Sequence, residues 1–254
     1  MEILLNHLRF MERVGAMASF TAYTNIAPVV VMQVTLGHLK VIATDGFTIC
    51  QYLIPVERAS LSEGDSVPFA ISADAARVVG DFAKRFGGGL VAKPAALDVA
   101  DSLSIAYEDV RVSVQALSTP TTDKLIDKMR ELLSRAPLVR LRINAKRMLK
   151  NFKPGRLGSP SPATMSIAGD RATICYVGNE WSIAGVSITD STAGGVTAMV
   201  DLAYLADAIR AAGEVDTDVI VGMSDSESPI LVCDDKTAGV RFAEYIMPML
   251  PRDV

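Results

Sequence analysis

At four places along the chain a short apolar run gives way to a residue able to cap a helix, and then to apolar positions spaced three and four apart. The runs and caps are Ile3-Leu4-Leu5 before Asn6, Phe69-Ala70-Ile71 shortly before Asp74, Leu141-Arg142-Ile143 before Asn144, and Ala198-Met199-Val200 before Asp201. Asn and Asp side chains accept hydrogen bonds from the unpaired amides of a first helical turn, so each cap predicts a helix start. One, four, five and eight residues past the caps stand His7, Phe10, Met11 and Val14; Ala75, Val78, Val79 and Phe82; Ala145, Met148, Leu149 and Phe152; Leu202, Leu205, Ala206 and Ile209. All but His7 are apolar, and the spacing is that of one buried stripe on a helix. The chain therefore reads as a fourfold repeat of one unit.

Between these helices the pattern turns β-like. Val29 to Val34, Leu39 to Ala43, Phe47 to Ile54, Leu103 to Tyr107, Val110 to Leu117, Ala172 to Val177, Trp181 to Ile188, Val219 to Met223, Ile230 to Cys233 and Val240 to Ile246 predict strands. Gly37-His38, Glu108-Asp109, Gly178-Asn179 and Asp225 to Ser228 separate them as turns. Each unit is a strand, a helix, and two or three antiparallel strands. Two units make a domain, which gives an α+β chain of two domains, each with two helices packed on antiparallel sheets. The boundary falls near Thr119-Pro120-Thr121-Thr122, dividing the chain into 1–120 and 121–254. A linker helix is expected over 123–136, with Leu125, Met129, Leu132 and Leu133 as its stripe, and a loop over Pro154 to Pro162.

Charge is unevenly spread over this pattern. The helix bodies 7–17, 75–85, 145–153 and 202–211 hold ten basic residues and three acids, a net +7, so a chain of net charge −4 carries −11 elsewhere. Arg9, Arg13, Arg77, Lys84, Lys146, Arg147, Lys150 and Lys153 lie off the apolar stripes, and Arg9, Arg77 and Arg147 share the third position past their caps. Such a face suits a phosphate backbone, which carries dense negative charge and is met without reading sequence.

Composition narrows the rest. With 50% hydrophobic, 21% charged and 6% aromatic residues, the 254-residue chain is of the ordinary globular kind. It has no apolar run long enough to span a membrane, and Met1-Glu2-Ile3 does not begin a secretory signal, so a cytoplasmic protein is expected. Cys50, Cys175 and Cys233 stand far apart in β-like stretches and read as buried free thiols. Two histidines leave little material for metal sites or His-based catalysis, and neither metal nor cofactor is expected.

Two segments carry a family resemblance. Ile42-Ala43-Thr44-Asp45-Gly46-Phe47, continuing through Ile49 to Pro55, resembles the Ala-Thr-Asp-Gly stretch in the middle domain of bacterial DNA polymerase III β sliding clamps. Asp225 to Val232, followed by Tyr245-Ile246-Met247-Pro248-Met249, is similar to the end of that clamp's last domain. The resemblance implies a DNA-clamp fold with two of the family's three domains, helices lining a central hole and sheets forming the outer wall. Family rings contain six domains, so a ring would need a homotrimer, and the reduced size suits a phage or mobile element. It implies a processivity factor that encircles double-stranded DNA, is placed there by a clamp loader, and tethers a DNA polymerase and other clamp-binding proteins. Their peptides would dock on Thr44, Gly46, Phe47 and Ile49 with Pro229, Met247, Pro248 and Met249, methionine being a side chain that repacks against varied partners. The chain departs from the family in Phe47-Thr48 and in Leu250-Pro251-Arg252-Asp253-Val254 after Met249, a tail that could narrow the pocket.

Two rival readings are weighed against a ring. Catalysis has little support: no nucleophile elbow, phosphate-binding glycine loop or paired metal ligands occur, Gly87-Gly88-Gly89 reads as a helix stop, and His7 falls on a core stripe. A clamp-like adaptor or decoy that binds clamp-interacting peptides without closing a ring differs only in edge-strand pairing, which no motif announces.

Overall fold

A computed structural model of the chain describes residues 2–6, 13–18, 29–86, 94–99, 102–107, 110–117, 120–151, 161–168, 171–176, 179–183, 187–188, 195–235 and 241–249. Arg9, the stripe positions His7, Phe10 and Met11, Phe152, Lys153, the loop through residue 160, Gly87-Gly88-Gly89 and the tail 250–254 lie outside them, as do the turn residues Glu108, Asp109 and Gly178. The chain divides into two compact units, Met1–Leu133 and Ser134–Val254.

In the first unit the strands are β1 (Glu2–Asn6), β2 (Val29–Val34), β3 (His38–Thr44), β4 (Thr48–Ala59), β5 (Val67–Ser72), β6 (Pro94–Val99), β7 (Ser102–Tyr107) and β8 (Val110–Gln115). All pairings are antiparallel, in the orders β8-β7-β6-β1-β4 and β4-β3-β2-β5. Both sheets contain β4: Ile49 to Pro55 face β3, while Val56, Arg58 and Ala59 face β1. The switch occurs at Pro55, which has no N–H to give, and Val56 N–H turns to the Gly37 carbonyl at 3.1 Å.

Helix α1 (Ala73–Phe86) and a helical stretch at 13–17 cover one face of the β2–β5 sheet. That face carries Met32, Val34, Leu39, Val41, Cys50, Tyr52 and Ile54, all buried. On the other face Val31, Ile42 and Gln51 are also buried, and helix α2 (Pro120–Ser134) brings Arg130 near Lys40 of that face. There burial, and secondarily the positive charge of Arg130 on α2, push the Lys40 ammonium below its ordinary range. The helix expected at 123–136 thus starts three residues earlier and buries Thr122, Ile126, Met129 and Leu132, while Leu133 is exposed.

The second unit repeats the plan. Its strands are β9 (Val139–Asn144), β10 (Pro162–Ala168), β11 (Arg171–Tyr176), β12 (Asn179–Ile183), β13 (Ser187–Ile188), β14 (Val196–Asp201), β15 (Asp218–Met223), β16 (Ile230–Asp234) and β17 (Phe242–Ile246). They pair as β13-β9-β15-β16-β17 and β12-β11-β10-β14. Helix α3 (Ala145–Asn151) packs on β9 and on α4 (Leu202–Val215), and α4 packs on β14 to β17.

The helices within a unit meet closely at glycines. A Cβ on Gly15 would lie 2.4 Å from the Gly80 Cα, and one on Gly213 would lie 2.7 Å from the Ala145 Cβ. The last strands end alike as well. Leu117, after β8, exchanges both backbone hydrogen bonds with Ala70 of β5, and Met249, after β17, donates its N–H to the Met199 carbonyl of β14 at 2.8 Å.

Candidate nucleic-acid and peptide interfaces

Of the basic residues expected on one face, those of α3 stand most openly. Asn144 caps this helix by accepting the Arg147 N–H at 3.1 Å, and the Ala145 N–H goes to the Thr217 carbonyl at 3.0 Å. Ala145 and Met148 turn inward and are buried, which leaves Lys146, Arg147 and Lys150 exposed. Among the described residues no carboxylate lies within ion-pair distance of these three.

The other helices differ. The Asp201 side chain caps α4 by accepting the Ala203 N–H at 2.9 Å; Leu202, Leu205, Ala206 and Ile209 are buried as expected, and exposed Arg210 is paired to Asp207 one turn back. On α1 the cap is Ser72, which accepts the Ala75 N–H at 3.1 Å, and not Asp74. The strand passes straight into the helix, so the earlier of two good capping residues takes the position. The buried stripe is accordingly Ala73, Ala76, Val79 and Gly80, and Val78, expected inside, is 58% exposed. Arg77 stands five residues past the true cap, exposed, and is paired to Asp74. Lys84 lies in α1, but its side chain is outside the described residues. Arg13 is half-buried: its guanidinium carbon sits 4.7 Å from the centre of the Tyr52 ring, and Nη1 donates to the Tyr52 hydroxyl at 3.4 Å. Nothing in the spacing of the sequence announced Ser72 or Tyr52 as the partners that decide these orientations.

The residues expected to receive a peptide stand on built turns. Between β3 and β4, Asp45 Oδ1 accepts the Phe47 N–H at 2.9 Å, the Thr48 N–H at 2.7 Å and the Thr48 hydroxyl at 3.3 Å. The Thr44 hydroxyl donates to the Thr48 carbonyl at 2.5 Å and accepts the Gly46 N–H at 3.1 Å. Gly46 takes φ 90, a conformation that favours glycine. The turn holds Phe47 outward at 60% exposure, with Thr44 half-buried and Ile49 buried.

In the second unit Asp225 builds a similar turn, accepting the N–H groups of Glu227 and Ser228 at 2.8 and 2.6 Å and the Ser228 hydroxyl at 2.6 Å. These bonds, the Ser228 hydroxyl first, hold the Asp225 carboxyl below the usual range. Pro229 follows, half-buried. Met247 is 49% exposed beyond β17, and Pro248 and Met249 are half-buried where the Met199 bond fixes the backbone.

Among the described residues no group of three or more His, Cys, Asp or Glu side chains is placed to hold a metal, and no helix is long and apolar enough to cross a membrane. Cys50 and Cys233 are buried and Cys175, expected inside, is exposed; all three are free thiols. Burial, and a smaller contribution from the Asp234 carboxylate, push the Cys233 thiol up to about 12, far from a reactive thiolate.

No family model matches the chain, and no curated protein does. Solved structures do. A DNA polymerase III subunit beta from Pseudomonas aeruginosa matches at TM-score 0.75 and 12% identity, over 98% of this chain and 66% of its own. A DNA polymerase sliding clamp from Bacillus subtilis matches at TM-score 0.74 and 12% identity, over 99% of this chain and 65% of its own. A Helicobacter pylori beta clamp bound to a DNA ligase peptide matches at TM-score 0.72 and 12% identity, over 98% of this chain and 65% of its own. The chain thus spans about two thirds of the length of the structures it matches, and at this identity the likeness is one of architecture: this chain has the fold of the DNA polymerase III β-subunit sliding clamps.

Proposed function

We propose that this protein is a sliding clamp, a non-enzymatic ring that encircles duplex DNA without reading its sequence and tethers a DNA polymerase and other clients. The observation that carries this reading is the clamp fold itself, which extends over 98–99% of the chain. A clamp needs an exposed basic helix face, and this chain supplies one on α3. With two domain-sized units where the matched chains are half as long again, three copies give the six-domain ring that the family resemblance implies. The protein then works in a bacterial or phage-infected cytoplasm, loaded by a clamp loader.

Clients dock through short apolar peptides. Met247, with Pro248, Met249 and Pro229, offers a flexible apolar surface on the second unit; Phe47, with Thr44, Gly46 and Ile49, offers a rigid one on the first. Two or three apolar anchors, each contributing roughly 1.5–3 kcal/mol before ordering costs, suffice for micromolar affinity.

Light scattering at micromolar concentration, with retention on closed circular against linear DNA, tests the ring. The expected result is three times the 27.1 kDa chain mass and loss of retention once the circle is cut. A single-chain mass that neither DNA nor a loader changes would overturn the ring and leave a peptide-binding adaptor.

A further inference from the structure

Four helices with basic residues suggest, from sequence, a DNA-facing surface shared among them. The side-chain pairing divides them. Among the described side chains of α1 and α4 the exposed arginines, Arg77 and Arg210, each have a carboxylate one turn back, Asp74 and Asp207. A phosphate arriving at either would compete with an anion already in place, and the local charge it meets is near zero. The outer face of α1 also shows Val78 and Asp81, neither of which attracts a phosphate. Arg13 rests on the Tyr52 ring, half out of water.

On α3 three exposed cations fall within five residues, with no carboxylate in ion-pair distance among the described residues. Lys146 and Lys150 are four residues apart, so they share a face and are separated by about 6 Å along the axis. Arg147 adds a planar fork that can take two oxygens of one phosphate.

We infer that the duplex contact of this protein centres on α3: Lys146, Arg147 and Lys150 carry it, and the ion-paired Arg77 and Arg210 and the ring-stacked Arg13 contribute little. This rests on the sliding-clamp reading and adds to it which described cations of each copy touch the phosphate backbone.

The experiment is a salt titration of the full-length protein on a short fluorescent duplex, followed by anisotropy. Each phosphate neutralised contributes about 0.9 to the slope of log affinity against log salt. Lys146→Gln, Arg147→Gln and Lys150→Gln together should lower that slope by about 2–3 per chain, and Lys146→Arg with Lys150→Arg should restore it. Arg13→Gln, Arg77→Gln and Arg210→Gln together should change it by less than about 1. Equal changes from the two sets, or a larger one from the Arg13, Arg77 and Arg210 set, would overturn the contact through α3 and leave the clamp reading intact. Wild-type protein with no duplex affinity at low salt would overturn the contact through α3, while the clamp reading, which holds DNA by topology, is overturned only by failure of retention on closed circles. Melting curves for each variant keep lost binding apart from lost fold, and Lys150→Gln alone, expected to lower the slope by about 1, serves should the triple variant not fold.

Discussion

Asp45 is 3% exposed, and one of its carboxylate oxygens holds two amides and a hydroxyl of the turn it begins. Its role is to fix the tip from which Phe47 projects. Replacing Asp45 with alanine leaves buried donors without their acceptor, at a cost of roughly 1–3 kcal/mol. Urea denaturation should show that loss, and the folded fraction should also bind apolar client peptides less well because Phe47 is no longer held outward. Asp45→Asn, which keeps one acceptor oxygen, should lose less; no difference from wild type in either variant would show that the backbone sets the turn alone. Asp234 is a second case, buried at the end of β16 and accepting the N–H groups of Arg241 and Phe242 at 2.8 and 2.7 Å. The resemblance pointed to Thr44 and Gly46, on either side of Asp45, as peptide-binding residues. The bonds give Asp45 a different part, as the support of that surface.

Among elements, the paired helices depend on what is missing between them. A methyl group on Gly80 would stand 2.6 Å from the Gly15 Cα, and backbone cannot give way as a side chain can. Alanine favours a helix interior over glycine by up to about 1 kcal/mol, whereas forced separation of packed helices costs roughly 1–3 kcal/mol, so Gly80→Ala should be destabilising. Gly37→Ala, at a position with nothing within 4 Å, serves as the comparison in the same melts, and a stabilised Gly80→Ala would contradict the close crossing. The periodic pattern made the helices and most strands legible, because buried stripes repeat with the geometry that buries them. It misjudged the rotation of α1 because Ser72 and Asp74 are both good caps, and a two-residue shift moves Val78 from the core to solvent. The ion pairs on α1 and α4 could be read as spacings but not as contacts, and the Arg13–Tyr52 stacking joins residues far apart in the chain.

For the whole molecule the outermost strands are the places where pairing can continue. Among the described strands β8 pairs only with β7 and β12 only with β11, so each unit ends in an edge that a second copy can extend. On β8, Val112 and Val114 are half-buried and alternate with exposed Ser113 and Gln115, a surface that a neighbouring strand would finish burying. Val112→Lys with Val114→Lys should shift the mass in solution towards that of one chain while leaving the melting curve of the dilute protein nearly unchanged; an unaltered mass would exclude β8 from the association. The fourfold repeat announced two halves, and the chain divides into two compact units after Leu133. Which strands lie at an edge was not legible, since an edge strand and a central one share the same alternation.

β4 belongs to both sheets of the first unit along one extended backbone of twelve residues, about 40 Å long. Tension applied to one sheet is therefore passed to the other through covalent bonds, and neither can swing open by itself. The shared strand thus ties the two sheets into one stiff link. In the ring proposed above, a gate that admits DNA is then expected where separate edges meet, held by hydrogen bonds that can be broken and remade, and not across this strand.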